Sequence, residues 1–221
     1  MTVQTSSVRE DFKEIVRLVR PGSRVLDVGC GEGELLELLG REKNIDGRGL
    51  EISAEGVAAG LARGLSVVQG DADRDLDYFP ERAFDYAVLS QALQAMRDPR
   101  HVLHELLRIA ERAIVSFPNF GHWRVRLSLM TRGRMPETRA LPDPWWSTPN
   151  IHLCTLADFL DLTEHLNLRI DACVAVNRDQ PARQINPGGL LENWRSENVL
   201  FLLSRRAPPT LKAGTGDLFG G

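Results

Sequence analysis

The sequence is short of cysteine, of long apolar runs and of any excess of basic charge, and each shortage removes a class of protein. Cys30, Cys154 and Cys173 are odd in number and widely spaced, so they form neither a disulfide framework nor a CxxC zinc pair. Reduced thiols in a cytoplasmic protein are the expectation. No apolar stretch of about 18 residues is present to make a transmembrane helix, so no membrane partner is expected. Met1-Thr2-Val3-Gln4 lacks the basic and apolar regions of a signal peptide. The 27 Lys and Arg against 30 Asp and Glu leave a net charge of -3, which disfavours a nucleic-acid partner. No internal repeat is visible.

What remains is a composition of 43% hydrophobic and 26% charged residues over 221 positions, enough for one α/β domain with a sizeable core. Phe12, Ile15, Val16 and Val19 fall at helical spacing and predict an amphipathic helix over about residues 7–19, ended by Pro21-Gly22. Residues 24–28 form a short apolar run into glycines, and a helix follows over 34–39, closed by Gly40. Further strands are predicted at 45–50, 65–68, 84–89 and 113–117. Ser53 is placed to cap one intervening helix, and Asp98-Pro99 to open another. Strands alternating with helices imply a parallel sheet buried on both faces. Beyond Pro118 the pattern loosens: a possible helix at 123–130, a proline-rich stretch at 135–150, and a helix capped by Thr155. Strands are predicted at 169–176 and 198–204. Residues 1–206 read as a single domain with a loop-rich insertion or lid at 118–155, and the Pro- and Gly-rich 207–221 reads as a disordered tail.

The chemistry gathers at the first strand end. The turn Gly29-x-Gly31-x-Gly33 lets backbone approach a ligand closely, yet Glu34 stands where a dinucleotide fingerprint has its third glycine. Asp27, just before the turn, repels phosphate and pairs with a cation, so an amino-acid ammonium or a sulfonium suits it better than a pyrophosphate. Glu51 ends the second strand near the roughly 20-residue spacing at which an acid reaches ribose hydroxyls. Asp71, after the third strand, is placed to accept from an adenine amino group. Ile52 and Ala72 flank these two acids as further cofactor-binding positions, and Ser90 follows the fourth strand.

With those residues together, the chain resembles the class I S-adenosylmethionine-dependent methyltransferases over about residues 16–205. Leu89-Ser90-Gln91-Ala92-Leu93 is similar to the family segment that lies along the methionine part of the cofactor. The resemblance implies a Rossmann-like α/β fold, a seven-stranded mostly parallel sheet with helices on both faces and an antiparallel last hairpin. It also implies S-adenosylmethionine or S-adenosylhomocysteine as ligand.

A methyl-acceptor site is harder to find. Methyl transfer from a sulfonium asks mainly for positioning, so few side chains need announce it. Strand four runs into Leu89-Ser90-Gln91 rather than an Asn/Asp-Pro-Pro-aromatic turn, which disfavours amino methylation of nucleic-acid bases. His122 is the one candidate general base near the expected pocket, although a histidine beside a tryptophan also serves packing. His101 and His104 with Glu105 lack converging further ligands, so no metal site is expected. Arg124, Arg126, Arg132, Arg134 and Arg139 stand against Glu137 alone, as a solvated basic face or a surface for an acidic partner. Trp145 and Trp146 suit either a tucked lid or a docking surface.

The segments Ser116-Phe117-Pro118-Asn119-Phe120-Gly121-His122-Trp123-Arg124 and Thr148-Pro149-Asn150-Ile151-His152-Leu153-Cys154-Thr155 resemble the methionine biosynthesis family MetW. That resemblance implies partnership with a homoserine O-acyltransferase of the α/β-hydrolase type (MetX), with residues 118–150 as the candidate contact. The sequence has no Gly-x-Ser-x-Gly nucleophile elbow, so the acyl-transfer nucleophile is expected in the partner. An active methyltransferase acting on a small molecule is the alternative.

Overall fold

A computed structural model describes residues 9–138, 141–177, 180–189 and 191–206. The expected tail at 207–221, and Arg139 of the basic segment, lie outside the described residues.

Strands and helices alternate from the start: α1 (Glu10–Leu18), β1 (Arg24–Val28), α2 (Glu34–Lys43), β2 (Asp46–Glu51), α3 (Ala54–Ala62) and β3 (Ser66–Gln69). A short α4 (Ala72–Asp75) leads to β4 (Phe84–Ser90), α5 (Pro99–Ile109) and β5 (Ala110–Pro118). Then come α6 (Trp123–Arg132), α7 (Leu156–His165), β6 (Leu168–Val176), β7 (Arg183–Gln184), α8 (Glu192–Arg195) and β8 (Asn198–Arg205). Side chains set several helix starts. Ser53 accepts from the Gly56 amide at 3.1 Å, Asp98 accepts from the His101 amide at 3.0 Å, and Thr155 and Asp158 form a reciprocal capping box.

The strands form one sheet in the order β3-β2-β1-β4-β5-β8-β6-β7. β1 to β5 pair in parallel, and β8 runs antiparallel between β5 and β6. This is the Rossmann-like methyltransferase architecture, with one strand more than the expected seven. The extra strand, β7, is a two-residue edge pairing with Val174 and Ala175, too short to leave a periodic signal. A second difference is at Gly40, which lies within α2. The helix runs on to Lys43 and ends at Asn44, whose left-handed conformation makes the cap expected at Gly40.

Each buried strand sends alternate side chains into two cores. Leu26 and Val28 join Phe117, Phe159 and Phe201 on the α5 and α7 face. Val25 joins Phe12, Ile15, Leu35 and Tyr86 on the α1 and α2 face. Asp27 shares the parity of Val25, so its carboxyl group points beneath α1 and α2. The strand order reverses between β1 and β4, stepping outward to β2 and β3 on one side and to β5 on the other, and open α/β sheets bind ligands at such a point. No helix among the described residues is long and apolar enough to cross a membrane.

Candidate functional site

After Val28 the backbone turns sharply, with φ of +71° at Gly29, +55° at Gly31 and +83° at Gly33. Side-chain-bearing residues rarely adopt these values. At Gly33, which begins α2, a Cβ would also run into Leu65. The Gly29 amide donates to the Leu50 carbonyl at 2.8 Å, tying the turn to β2. Glu51 locks it further: one carboxylate oxygen accepts from the Gly31 amide at 2.7 Å and the other from the Ser53 amide at 2.9 Å. This packing requires Gly56 on α3, because a Cβ there would lie 2.9 Å from Glu51 Cγ. The sequence reading did not single out Gly56. A lone glycine in a helix carries no signal that an acid packs on it.

Beside the turn lies a cavity of about 280 Å³ whose lining includes Arg9, Phe12, Asp27, Gly29, Gly31 and Ser90. Asp27 is only 2% exposed. Burial pushes its carboxyl pKa up to about 7; Arg9 works against that rise, while Glu51 and Asp11 add to it. Burial likewise pushes the Cys30 thiol in the same turn up to about 12, with Asp27 and Glu51 adding, so this cysteine is not a reactive thiolate.

Arg9 and the buried Asp11 clamp the start of α1 onto the end of β4. Arg9 donates to both Asp11 carboxylate oxygens, at 3.1 and 2.6 Å, and to the Ser90 hydroxyl at 3.1 Å. Ser90 donates in turn to Asp11 at 3.0 Å. The next residue, Gln91, has φ +55°, an uncommon conformation for a residue with a side chain, held by its amide donating to the Ser116 carbonyl at 2.8 Å. Sequence reasoning missed Arg9 and Asp11. An acidic residue in a first helical turn is ordinary, so nothing local marks this pair as part of a site.

The structure therefore brings Asp27, Gly29, Gly31 and Ser90 into one cavity, with Gly33 and Glu51 bracing it. Ile52, Asp71 and Ala72 stand apart along the ends of β2 and β3. Ile52 is exposed, whereas Ala72 is packed in the core and has only backbone to offer a ligand. The Asp71 carboxylate caps α4, accepting from the Asp73 amide at 3.0 Å through one oxygen. Among the described residues, the cavity lining carries the acids Asp27, Glu32 and Glu34 against the one guanidinium of Arg9, with Asp11 and Glu51 close behind. That balance suits a ligand carrying positive charge and one carboxylate.

A different arrangement lies at the end of β5. The buried Asn119 side chain donates to the carbonyls of Asn193 at 2.9 Å and Ser196 at 2.8 Å. It accepts from the amides of Gly121 and Leu156, both at 2.9 Å. Next to it, His122 borders a cavity of about 830 Å³. Burial pushes the His122 pKa below its ordinary value; Glu197 opposes this and Arg124 adds to it. Trp145 and Trp146, which the sequence allowed as a tucked lid, are 68% and 71% exposed and meet edge to face at 6.0 Å. The His101 and His104 rings face carboxylates, Asp77 at 3.5 Å and Glu105 at 3.1 Å. No cluster of three metal-ligating side chains occurs among the described residues.

Comparison with known proteins adds identity to this geometry. The family described as methionine biosynthesis protein MetW matches residues 9–203. The bifunctional methionine biosynthesis protein MetXA/MetW of Rhodopirellula baltica is 36% identical over 182 residues, which are 78% of this chain and 29% of that protein. The chain spans between 29% and 52% of the length of the curated relatives it matches. Among solved structures, it is similar to an S-adenosylmethionine-dependent methyltransferase of Thermotoga maritima described as a possible histamine N-methyltransferase. The TM-score there is 0.65 at 17% identity, covering 90% of each chain. An S-adenosylmethionine-dependent methyltransferase of Mesorhizobium loti gives a TM-score of 0.65 at 17% identity, covering 90% of this chain and 99% of that one.

Proposed function

The chain belongs to the methionine biosynthesis protein MetW family, and from that premise we propose that it binds S-adenosylmethionine or S-adenosylhomocysteine and supports a homoserine O-acyltransferase of the MetX type. The observation that carries the partnership is the R. baltica relative, whose name joins MetXA and MetW in one bifunctional chain. Fusion holds two modules at high effective concentration, an arrangement that favours modules acting on or beside each other. This sequence has no nucleophile elbow of its own, so acyl transfer falls to the partner. The exposed Trp145 and Trp146, near the exposed Met130 and Leu127 in sequence, make residues 118–150 the candidate contact.

The ligand assignment rests on the glycine-turn cavity. Arg9 suits the carboxylate of the methionine moiety and Asp27 its ammonium; Glu51 suits ribose hydroxyls and Asp71 an adenine amino group. S-adenosylmethionine supplies an electrophilic methyl group wherever it is bound. This chain's residues bind and orient, and the fold by itself does not require that the methyl be transferred. A ligand that is made downstream of methionine is a sensible reporter of pathway supply. Co-purification with the acyltransferase, followed by its activity with and without this chain across S-adenosylmethionine concentrations, tests the proposal. A complex and a ligand-dependent change in acyl transfer are expected; no complex and no effect overturn it.

The alternative, an active methyltransferase on a small molecule, is favoured by one observation: His122 borders a cavity, where an imidazole can accept a proton. It predicts turnover of labelled S-adenosylmethionine with cell extract, abolished in Glu51→Ala. Cofactor binding without any labelled product counts against it.

A further inference from the structure

The cavity at the end of β5 carries recognition groups that the cofactor assignment does not use. Among the described residues, four ionisable side chains line it: His122, Arg124, Glu137 and Glu197. Elsewhere arginines pair with acids, as Arg24 with Asp85, Arg63 with Glu32 and Glu37, and Arg108 with Glu105. Among the described residues, none of the four cavity side chains makes a hydrogen bond or an ion pair. The nearest interaction is Arg124 over the Trp123 ring, at 5.3 Å. His122 is the telling member. It is only 8% exposed and neither ring nitrogen has a described partner, so the little of the ring that reaches the cavity is free to meet a ligand.

The start of α6 repeats the pattern. His122 occupies the cap position without a side-chain capping bond, and the first-turn amides of Trp123 and Arg124 have no described acceptor. Unsatisfied amides at the start of a helix, a guanidinium and an imidazole N–H form a receptor for a carboxylate. Two carboxylates without an ion pair among the described residues, Glu137 and Glu197, form a receptor for an ammonium. The remaining lining includes Val125 and Leu141, which are apolar and buried.

We propose that this cavity binds a free α-amino acid with an apolar side chain. Its carboxylate goes to Arg124, His122 and the start of α6, its ammonium to Glu137 and Glu197, and its side chain against Val125 and Leu141. A phosphate ester is disfavoured by the two carboxylates, and a simple cation by Arg124. Occupancy here is independent of what the glycine turn holds, since the two cavities share no lining residue.

The test is equilibrium dialysis of the full chain against L-methionine and L-leucine, with L-methioninamide and N-acetyl-L-methionine as forms blocked at one end. Saturable binding of at least one free amino acid is expected. Each blocked form should bind roughly tenfold or more weakly, the loss expected for one charge-assisted hydrogen bond. Glu197→Gln and Arg124→Gln, both at accessible positions, should weaken binding similarly while melting curves stay unchanged. The His122 ring resonances should shift on addition of ligand. Absence of binding by both amino acids, or equal binding of the blocked forms, overturns the proposal. So does displacement by S-adenosylmethionine together with loss in Glu51→Ala, which would put the amino acid at the glycine turn.

Discussion

Asp27 is a carboxyl group held where ionisation is unfavourable, and its behaviour with pH follows from that placement. Its pKa rises from an ordinary 3.8 to about 7 in the folded chain, chiefly through burial. Between those values the folded chain holds a proton that the unfolded chain has released, so this residue makes stability fall as pH rises from about 4 to about 7. Asp27→Asn removes the titration. We expect the variant to melt higher than the native chain at about pH 8 and to match it near pH 4, as read by thermal unfolding across that range. Binding of a cationic ligand should show the opposite trend. The native chain should bind S-adenosylmethionine more tightly as pH rises through about 7, and Asp27→Asn should bind weakly with a flat profile. Parallel profiles for the two proteins would remove Asp27 from the site. The charge preference of this residue is legible from its position before a glycine turn. Its counterpart Arg9 is not, because the two meet only when α1 folds across the end of β4.

At the scale of elements, the parallel half of the sheet and the half beyond β5 differ in how openly the sequence announces them. From β1 to β5, apolar runs end in glycines or caps, and each strand or helix follows from local pattern. Beyond Pro118 the elements are tied by long-range hydrogen bonds. Asn119 alone joins the end of β5 to Gly121, to the first residue of α7 and to α8 and the residue after it. Asn119→Ala would leave two buried amides and two carbonyls without that partner. We expect a loss of about 4 kcal/mol or more in urea unfolding, since each of the four groups left unsatisfied costs about 1–3 kcal/mol. A loss below about 1 kcal/mol would mean that water or a local shift replaces those bonds. The short α8 and β7 escape sequence reading for the same reason: their stability comes from neighbours, not from propensity or period.

Across the whole molecule, the glycine-turn cavity and the β5 cavity lie along one edge of the sheet, joined by the linker that follows β4. Gln94 sits at the junction. Its carbonyl accepts from the Ile151 and His152 amides at 2.8 and 2.9 Å, and its side chain donates to the Pro118 carbonyl at 3.0 Å. The segment that follows Ser90 and Gln91 is thus bonded to the segment that follows the two exposed tryptophans. If residues 118–150 form the docking surface, replacing Trp145 and Trp146 together by alanine should abolish co-purification with the acyltransferase, since aromatic anchors dominate interface energetics. S-adenosylmethionine binding, measured in parallel, should be unchanged, because neither side chain lines the glycine-turn cavity. Undiminished co-purification would move the contact to another face.

The sequence by itself determined the α/β class, the glycine turn and the acid that stands before it. Each depends on residues within one strand–turn–helix unit, where periodicity and the freedom of glycine act over short range. Only the tertiary structure decided that Arg9 and Asp11 close the site, that Gly56 makes room for Glu51, and that His122, Arg124, Glu137 and Glu197 share a cavity. Those groups are brought together by packing between elements distant in the chain, and burial sets their charge.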